Sequence, residues 1–518
     1  MKKIVIIGAG PAGITAAKEL AGQEALEVTV LEESGCFGGI SRTVSHNGSR
    51  MDIGGHRFFS KDPAVMAWWE EILPPQGELP FDDRKLGRST PTVEGGPAPD
   101  LTDRVMLVRR RVSRIYYLKK FFDYPISMKW QTFRNMGFFR TAAAGFSYLW
   151  SCVFKKKEDS LENFYINRFG RVLYSMFFEK YTEKLWGRHP SVISADWGAQ
   201  RVKGLSIMAV VRDMFRKLFG VKDKGSVETS LIEEFRYPKY GPGQLWETAA
   251  AMAEEKGARF LLNHRVTRIL GQDGHLTGVE CETPEGTRRF DADIVISSMP
   301  LKDLVADFCG PTVPEEIRTI AEGLPYRDFV TVGLLVDRLK LKNETDIPTL
   351  GDIVPDCWIY VQEPDVRLGR IQIFNNWSPY MTPDPEHQVW IGLEYFCTEG
   401  DAFWSLSEED CVRLAVGELV SMGILEEESV LDSHRERVKK AYPAYFDTYA
   451  EIDRLTGYLD SFDNLYCIGR NGQHRYNNMD HSMVTAFRAA DHILGRSDDK
   501  SGIWRVNTEK EYHETAKG

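Results

Sequence analysis

Ile4-Val5-Ile6-Ile7-Gly8-Ala9-Gly10-Pro11-Ala12-Gly13 is the stretch on which the fold turns. The four apolar, mostly β-branched residues read as a strand buried on both faces of a parallel sheet. Gly8 permits a tight turn, Gly10 lets backbone approach a pyrophosphate, and Gly13 lets the following helix pack closely on the strand. Pro11 and Ala12 sit inside that turn, and residues 14–22 continue with a helical pattern. A second strand, 27–34, ends in Glu32 and Glu33, with the Glu32 carboxylate suited to the ribose hydroxyls of an adenosine. The ordered series of strand, glycine turn, helix, strand and acid is that of a dinucleotide-binding βαβ unit. Lys2 and Lys3 before an apolar run resemble the start of a signal peptide, but the immediate glycines and the lack of a small-residue cleavage site favour a first strand.

Working outward, Gly35-Cys36-Phe37-Gly38-Gly39-Ile40-Ser41-Arg42-Thr43 adds a second glycine turn that runs into an arginine. This resembles the GG motif of the FAD-binding amine oxidase-like superfamily, and implies non-covalent FAD contacted by Gly38, Gly39, Ile40, Ser41 and Arg42. Late in the chain, 464–470 reads as a strand ending in the glycine turn of Gly469 and Arg470, 471–476 as a loop and 479–494 as a helix. The amides at the start of that helix could face the flavin. The two ends of the chain are therefore expected to meet in one discontinuous domain. The expected fold class is α/β, a discontinuous Rossmann-like FAD-binding domain with an inserted helical domain and an antiparallel β-sheet substrate domain. The segments are 1–83, 241–310 and 456–498 for the FAD-binding domain, 105–240 for a strand pair plus helical domain, 311–455 for the sheet, and 499–518 for a tail.

The 518 residues carry a net charge of −10 and 42% hydrophobic residues, an ordinary globular composition without a nucleic-acid footprint. The eight cysteines, at 36, 152, 281, 309, 357, 397, 411 and 467, show no metal-ligand spacing and read as reduced thiols of a cytoplasmic protein. No metal is expected. No stretch reaches the roughly 20 apolar residues of a membrane span. The nearest, 141–154, lies between Arg140 and Lys155-Lys156-Lys157 and is expected to be a buried or oligomer-contact helix rather than an interfacial one. Residues 84–104 read as a mobile surface loop, 105–124 as a strand pair turning near Lys119, 160–224 as helical, and 235–246 as a loop entering a helix. Strands are expected at 331–335, 356–362, 371–378 and 389–396.

Several separated blocks resemble the UDP-galactopyranose mutase family, the long eukaryotic-like form. Gly54-Gly55-His56-Arg57-Phe58-Phe59-Ser60 resembles the family's mobile histidine loop, and Tyr181-Thr182-Glu183-Lys184-Leu185-Trp186-Gly187 the helical motif whose tryptophan lies near the nucleotide. Residues 197–202 resemble the segment carrying one diphosphate-binding arginine, here Arg201. Residues 357–380 resemble the mid-sheet block and would supply Tyr360 and a second arginine, Arg370. Ala441-Tyr442-Pro443 resembles a substrate-tyrosine motif. His474-Arg475-Tyr476-Asn477-Asn478-Met479-Asp480-His481 resembles the C-terminal flavin and substrate motif. The resemblance implies His56, Arg201 and Arg370 as catalytic residues. It implies Phe59, Trp186, Tyr360, Tyr442, Tyr476 and Asn478 toward the substrate. Gly54, Gly55, His56, Val266, Gly469, Arg470, Asn478, Met479 and Ser482 would join the first glycine turn at the cofactor.

The function so implied is a mutase that interconverts pyranose and furanose forms of a nucleotide sugar, UDP-galactose above all, with reduced flavin N5 as nucleophile toward the anomeric carbon. Arginines suit a diphosphate because they give charge-assisted, often bidentate hydrogen bonds, and tyrosines donate without adding charge. The competing reading is an FAD-dependent oxidoreductase of the amine oxidase or protoporphyrinogen oxidase type. A flavoprotein that binds a nucleotide sugar without rearranging it is a third. A homo-oligomer through the helical domain is a further expectation.

Overall fold

The computed structural model describes residues 1–124, 130–195 and 234–506. Arg201 and the rest of 196–233 lie outside the described residues. The chain divides into two compact units. Of the described residues, one comprises 1–108, 236–328 and 438–506, and the other 109–124, 130–195, 234–235 and 329–437.

The first unit is built on a five-stranded sheet in the order Leu465–Cys467, Ile294–Ser297, Lys2–Ile7, Leu26–Leu31, Arg259–Leu261, and every pairing in it is parallel. Its strands thus come from three separate stretches of chain. The period of two explains the continuous apolar run at 4–7. Ile4 and Ile6 enter a core with the helices Pro11–Leu20, Pro63–Ile72, Pro242–Glu255 and Met479–Ile493. Val5 and Ile7 point the other way, into a core with Val266, Ile269, Leu276 and Val279. Those residues belong to a four-stranded sheet, Gly286–Asp291, His275–Thr283, Arg265–Gln272 and Phe308–Cys309.

The second unit holds most of a seven-stranded sheet in the order Val430–Pro443, Tyr326–Val336, Val389–Cys397, Arg370–Ile373, Trp358–Val361, Ser113–Tyr117, Lys120–Asp123, of which residues 326–328 and 438–443 belong to the first unit. The Glu408–Met422 helix covers it through Cys411, Ala415 and Leu419. Beside the sheet in sequence run the helices Phe138–Val153, Leu161–Tyr174 and Lys180–Trp186, the last two joined by a π turn, Ser175–Glu179. Gly170, at φ 78°, brings two of these helices together: a Cβ there would lie 2.7 Å from the Tyr148 backbone nitrogen.

The structure corrects several local expectations. Residues 86–104 form no helix or strand, as expected of a loop, but side chains fasten the stretch to its neighbours. Arg88 bridges the buried Asp82 and Asp83, Gln76 Nε2 donates to Thr90 Oγ1 at 3.1 Å, and Arg104 donates to the Ile72 carbonyl. The 105–124 stretch makes three strands, Met106–Arg110, Ser113–Tyr117 and Lys120–Asp123, and the last two form a hairpin whose turn is Leu118-Lys119, both at positive φ. The 235–246 stretch begins as a strand, Glu234–Pro238, because Phe235 and Tyr237 alternate inward against Glu234 and Arg236. The strand expected over 371–378 stops at Ile373 and becomes one helical turn, Phe374–Trp377, where Asn376 bonds the Val354 and Asp356 carbonyls. The helix over 141–154 forms, but its large side chains are not buried in the chain: Phe146 is 77% exposed, Trp150 65% and Leu149 63%. Among the described residues no helix is long and apolar enough to cross a membrane.

Candidate functional site

The first glycine turn is a cradle into which side chains could not fit. Gly8 takes φ +100°, and a Cβ on Gly13 would fall 1.9 Å from the Gly8 carbonyl oxygen. Gly10 caps the Pro11–Leu20 helix with no side-chain hydrogen bond, so the helix's first amides are available to an anion. The second turn meets the first backbone to backbone: a Cβ on Gly39, at φ +54°, would lie 3.2 Å from the Gly10 Cα. Arg42 donates to the Gly39 carbonyl at 3.2 Å and fastens the second turn, with Ile40 and Ser41 inside it. Glu32 is buried. Its carboxylate accepts from the Ala9 amide at 2.7 Å and from the Ser34 amide and hydroxyl, which fixes the acid between the two turns. Oε1 accepts both Ser34 donors, and Oε2, which accepts only the Ala9 amide, keeps a lone pair for a ribose hydroxyl. Glu33 is exposed, and Val266 is buried in the adjoining sheet. Gly469, at φ +77°, approaches the same region, since a Cβ there would lie 2.9 Å from the Ala12 Cβ. These glycine contacts, the uncapped helix start and the buried acid fit a dinucleotide.

The histidine loop belongs to the same unit and is anchored on both sides. Phe58 is buried, exchanges backbone hydrogen bonds with Arg236 and packs edge-on against Trp69. Ser60 donates to Asp480, in the first turn of the Met479–Ile493 helix, at 2.9 Å. His56 Nδ1–H donates to the Gly54 carbonyl at 3.0 Å. A carbonyl only accepts, so the neutral ring keeps its lone pair on Nε2. Burial, then the Arg470 charge, lower the His56 pKa to about 4, and the ring is neutral near pH 7. Beneath the loop Asp52 is fully buried, held by the Tyr237 and Thr43 hydroxyls. Burial, outweighing those hydrogen bonds, raises its pKa to about 7.

Arg470 donates to the Asn477 and Ala441 carbonyls, which holds its guanidinium 4.7 Å from the Tyr476 ring and 5.8 Å from that of Tyr442. The two tyrosines stack with centroids 5.9 Å apart and planes 11° from parallel. Tyr445, which the sequence did not single out, receives the Tyr476 amide on its hydroxyl at 2.6 Å. Asn478 is the exposed N-cap of the Met479–Ile493 helix, Met479 is buried, and Ser482 is committed to Asn477 at 3.0 Å. Phe59 is half-buried.

In the second unit Arg370 and Tyr360 fall opposite each other on neighbouring strands. Arg370 is buried. Its Nε donates to the Tyr181 hydroxyl at 2.7 Å and its NH1 to Glu394, fully buried, at 3.1 Å. Trp358 and Phe396 rings lie about its guanidinium, and Tyr360 stacks on Tyr124 with centroids 4.3 Å apart. Burial raises the Glu394 pKa against the opposing pull of Arg370. Gln372 donates to the other Glu394 oxygen at 3.0 Å. Trp186 is buried at the end of its helix, and Lys184 of the same motif donates to the Glu363 and Leu368 carbonyls. Burial lowers the Lys184 pKa to about 8. The buried Glu394 partner was not anticipated, although one carboxylate inside the apolar run Val389–Cys397 was a visible signal.

This chain belongs to the family of flavin-containing amine oxidoreductases, whose profile matches residues 11–494. It is 25% identical over 324 residues to a Mycobacterium tuberculosis chain named as a flavin-containing monoamine oxidase, and the match spans 62% of each chain. Among solved structures it is similar to reduced UDP-galactopyranose mutase, with TM-score 0.74 and 21% identity over 98% of this chain and 99% of that one. It is also similar to a protein described as protoporphyrinogen oxidase from Exiguobacterium sp. 255-15, with TM-score 0.65 and 16% identity over 96% and 99%. A putrescine oxidase variant gives 0.60 and 15% over 96% and 99%. At these identities the likenesses show a shared fold, the mixed α/β architecture of flavin-dependent amine oxidase-like enzymes.

Proposed function

We propose that the protein is a FAD-dependent mutase that interconverts the pyranose and furanose forms of a nucleotide sugar, UDP-galactose foremost. The observation that carries the reading is Arg470 set against Tyr442 and Tyr476 in the flavin unit. A fixed guanidinium beside stacked tyrosines disfavours the approach of a cationic amine. The same charge attracts a diphosphate. The likeness to reduced UDP-galactopyranose mutase supports this reading at the level of fold.

Gly8, Gly10, Gly13, Gly39 and Glu32 would hold the flavin, which when bound and reduced would supply a nucleophile toward the anomeric carbon. Arg370 binds the diphosphate and stabilises it as it leaves, with the Tyr181 hydroxyl and the Glu394 carboxylate fixing the direction of its guanidinium. Tyr442 and Tyr476, with Phe59 and Asn478, are the first unit's candidates for orienting a sugar nucleotide without adding charge, and Tyr360 and Trp186 are the second unit's. Arg201 belongs to the same reading as a second diphosphate cation. Neutral His56 accepts a hydrogen bond at Nε2 and orients its neighbours, and it is not the acid of the reaction.

The Mycobacterium tuberculosis relative favours the second reading, a true flavin oxidoreductase. The two separate cleanly under anaerobic conditions. The oxidised yellow protein is mixed with primary amines and with a porphyrinogen, and the dithionite-reduced protein with UDP-galactofuranose. A mutase leaves the yellow absorbance unbleached and forms UDP-galactopyranose. Bleaching without isomerisation identifies an oxidase, and binding without either identifies a nucleotide-sugar carrier.

A further inference from the structure

The Phe138–Val153 helix is folded the opposite way round from a helix that covers its own core. Its small residues, Ala144, Ser147 and Ser151, turn inward, where Val172 donates its amide to the Ser147 hydroxyl at 3.2 Å and Gly170 admits the Tyr148 backbone. Its large residues turn outward. Among the described residues, seven of the fourteen strongly exposed large apolar side chains fall within 138–154. Phe146, Trp150 and Phe154 recur every fourth residue, and the Trp150 and Phe154 rings meet with centroids 4.3 Å apart. Exposed apolar residues scattered singly are ordinary, but a contiguous aromatic stripe marks a binding surface.

Charge decides what the surface meets. Residues 130–157 contain Arg134, Arg140, Lys155, Lys156 and Lys157 and not one Asp or Glu, in a chain whose net charge is −10. The next acid, Glu158, is held by Arg168 at 2.7 Å. A second copy docked through the same face would bring two such basic clusters together across a two-fold axis. Lipid phosphates would neutralise them, and aromatic side chains suit the boundary between headgroups and acyl chains. We propose that the Phe138–Val153 helix lies flat on a bilayer containing anionic lipid, with Phe146, Trp150 and Val153 entering the boundary and Arg140, Lys156 and Lys157 against phosphates. The attachment is peripheral and reversible, and does not depend on what the flavin unit catalyses.

The test is flotation of the full-length flavin-loaded protein with phosphatidylcholine vesicles, with and without phosphatidylglycerol, alongside sedimentation of the protein alone. The wild type should float with the anionic vesicles, bind pure phosphatidylcholine about tenfold less, and be released by high salt. Phe146→Glu/Trp150→Glu should abolish flotation, and Lys156→Glu/Lys157→Glu, which leaves the apolar face intact, should weaken it about tenfold. Retained flavin and unchanged circular dichroism establish that the variants fold. Equal recovery of wild type and variants from anionic vesicles overturns the proposal. So does a wild-type dimer that Phe146→Glu/Trp150→Glu converts to monomer, which would assign the face to a second copy.

Discussion

Replacing Glu394 by Gln separates the structural from the functional role of Arg370. The carboxylate is wholly buried, and it lies 3.1 Å from a guanidinium that is itself only 7% exposed. At an effective dielectric of about 20, attraction at that distance is about 5 kcal/mol. Removing one partner of a buried pair typically costs about 3–5 kcal/mol, because the other charge stays behind without compensation. The glutamine carbonyl can still accept from NH1, which returns about 1 kcal/mol. The single variant should therefore lose about 2–4 kcal/mol, read as an earlier tryptophan-emission transition in urea. Glu394→Leu/Arg370→Met removes both charges and should stand much nearer the wild type. The functional consequence has the opposite sign. With its carboxylate gone, Arg370 meets an incoming diphosphate without a competing anion, so Glu394→Gln should bind UDP more tightly, by about tenfold for about 1.4 kcal/mol, while the double variant binds it weakly. A single variant as stable as wild type, or UDP affinity indifferent to both changes, would refute the reasoning.

Asp52, with a pKa raised from 3.8 to about 7, destabilises the fold progressively as pH rises between those values, because the unfolded chain ionises first. Asp52→Asn should match wild type near pH 4 and exceed it by up to about 4 kcal/mol above pH 7, measured by urea unfolding. For His56, with its pKa lowered from 6.5 to about 4, the sign is reversed. The unfolded chain takes up the proton first as pH falls below 6.5, so the fold loses up to about 3 kcal/mol toward pH 4, and His56→Gln should remove that slope. No break in the pH–rate profile between 5 and 8 should trace to His56, which comparison with the same variant checks. Gly13→Ala puts a Cβ 1.9 Å from the Gly8 carbonyl oxygen and should yield protein without yellow absorbance.

The flavin unit was legible in the sequence because its signals are local and backbone-determined. Gly8, Gly13 and Gly39 are where the turns forbid a side chain, and Glu32 lies buried just after the second strand, although its bonds to Ala9 and Ser34 were not anticipated. The Met479–Ile493 helix and the late strand Leu465–Cys467 were legible for the same reason. What escaped is carried by partners distant in sequence. Arg370 reads as a lone cation until Glu394 and Tyr181 are beside it. Residues 86–104 read as a loop and form one, but the ion pairs of Arg88 with Asp82 and Asp83 that fasten it lie outside any local pattern. The apolar run at 141–154 reads as either a buried or an oligomer-contact helix because hydropathy does not say which face a helix turns inward. Ala144, Ser147 and Ser151 take that face, leaving Phe146 and Trp150 outside.

The central claim is that the bond between the anomeric carbon and the diphosphate breaks and re-forms without net oxidation. The most direct measurement uses UDP-galactopyranose carrying heavy oxygen at that bridging position, incubated with the dithionite-reduced and the oxidised protein and followed by phosphorus NMR. The account predicts that the label spreads to the non-bridging oxygens of the adjacent phosphate, with UDP-galactofuranose appearing alongside, in the reduced protein alone. Label that stays at the bridge in the reduced, flavin-loaded protein, with no furanose formed, would contradict it.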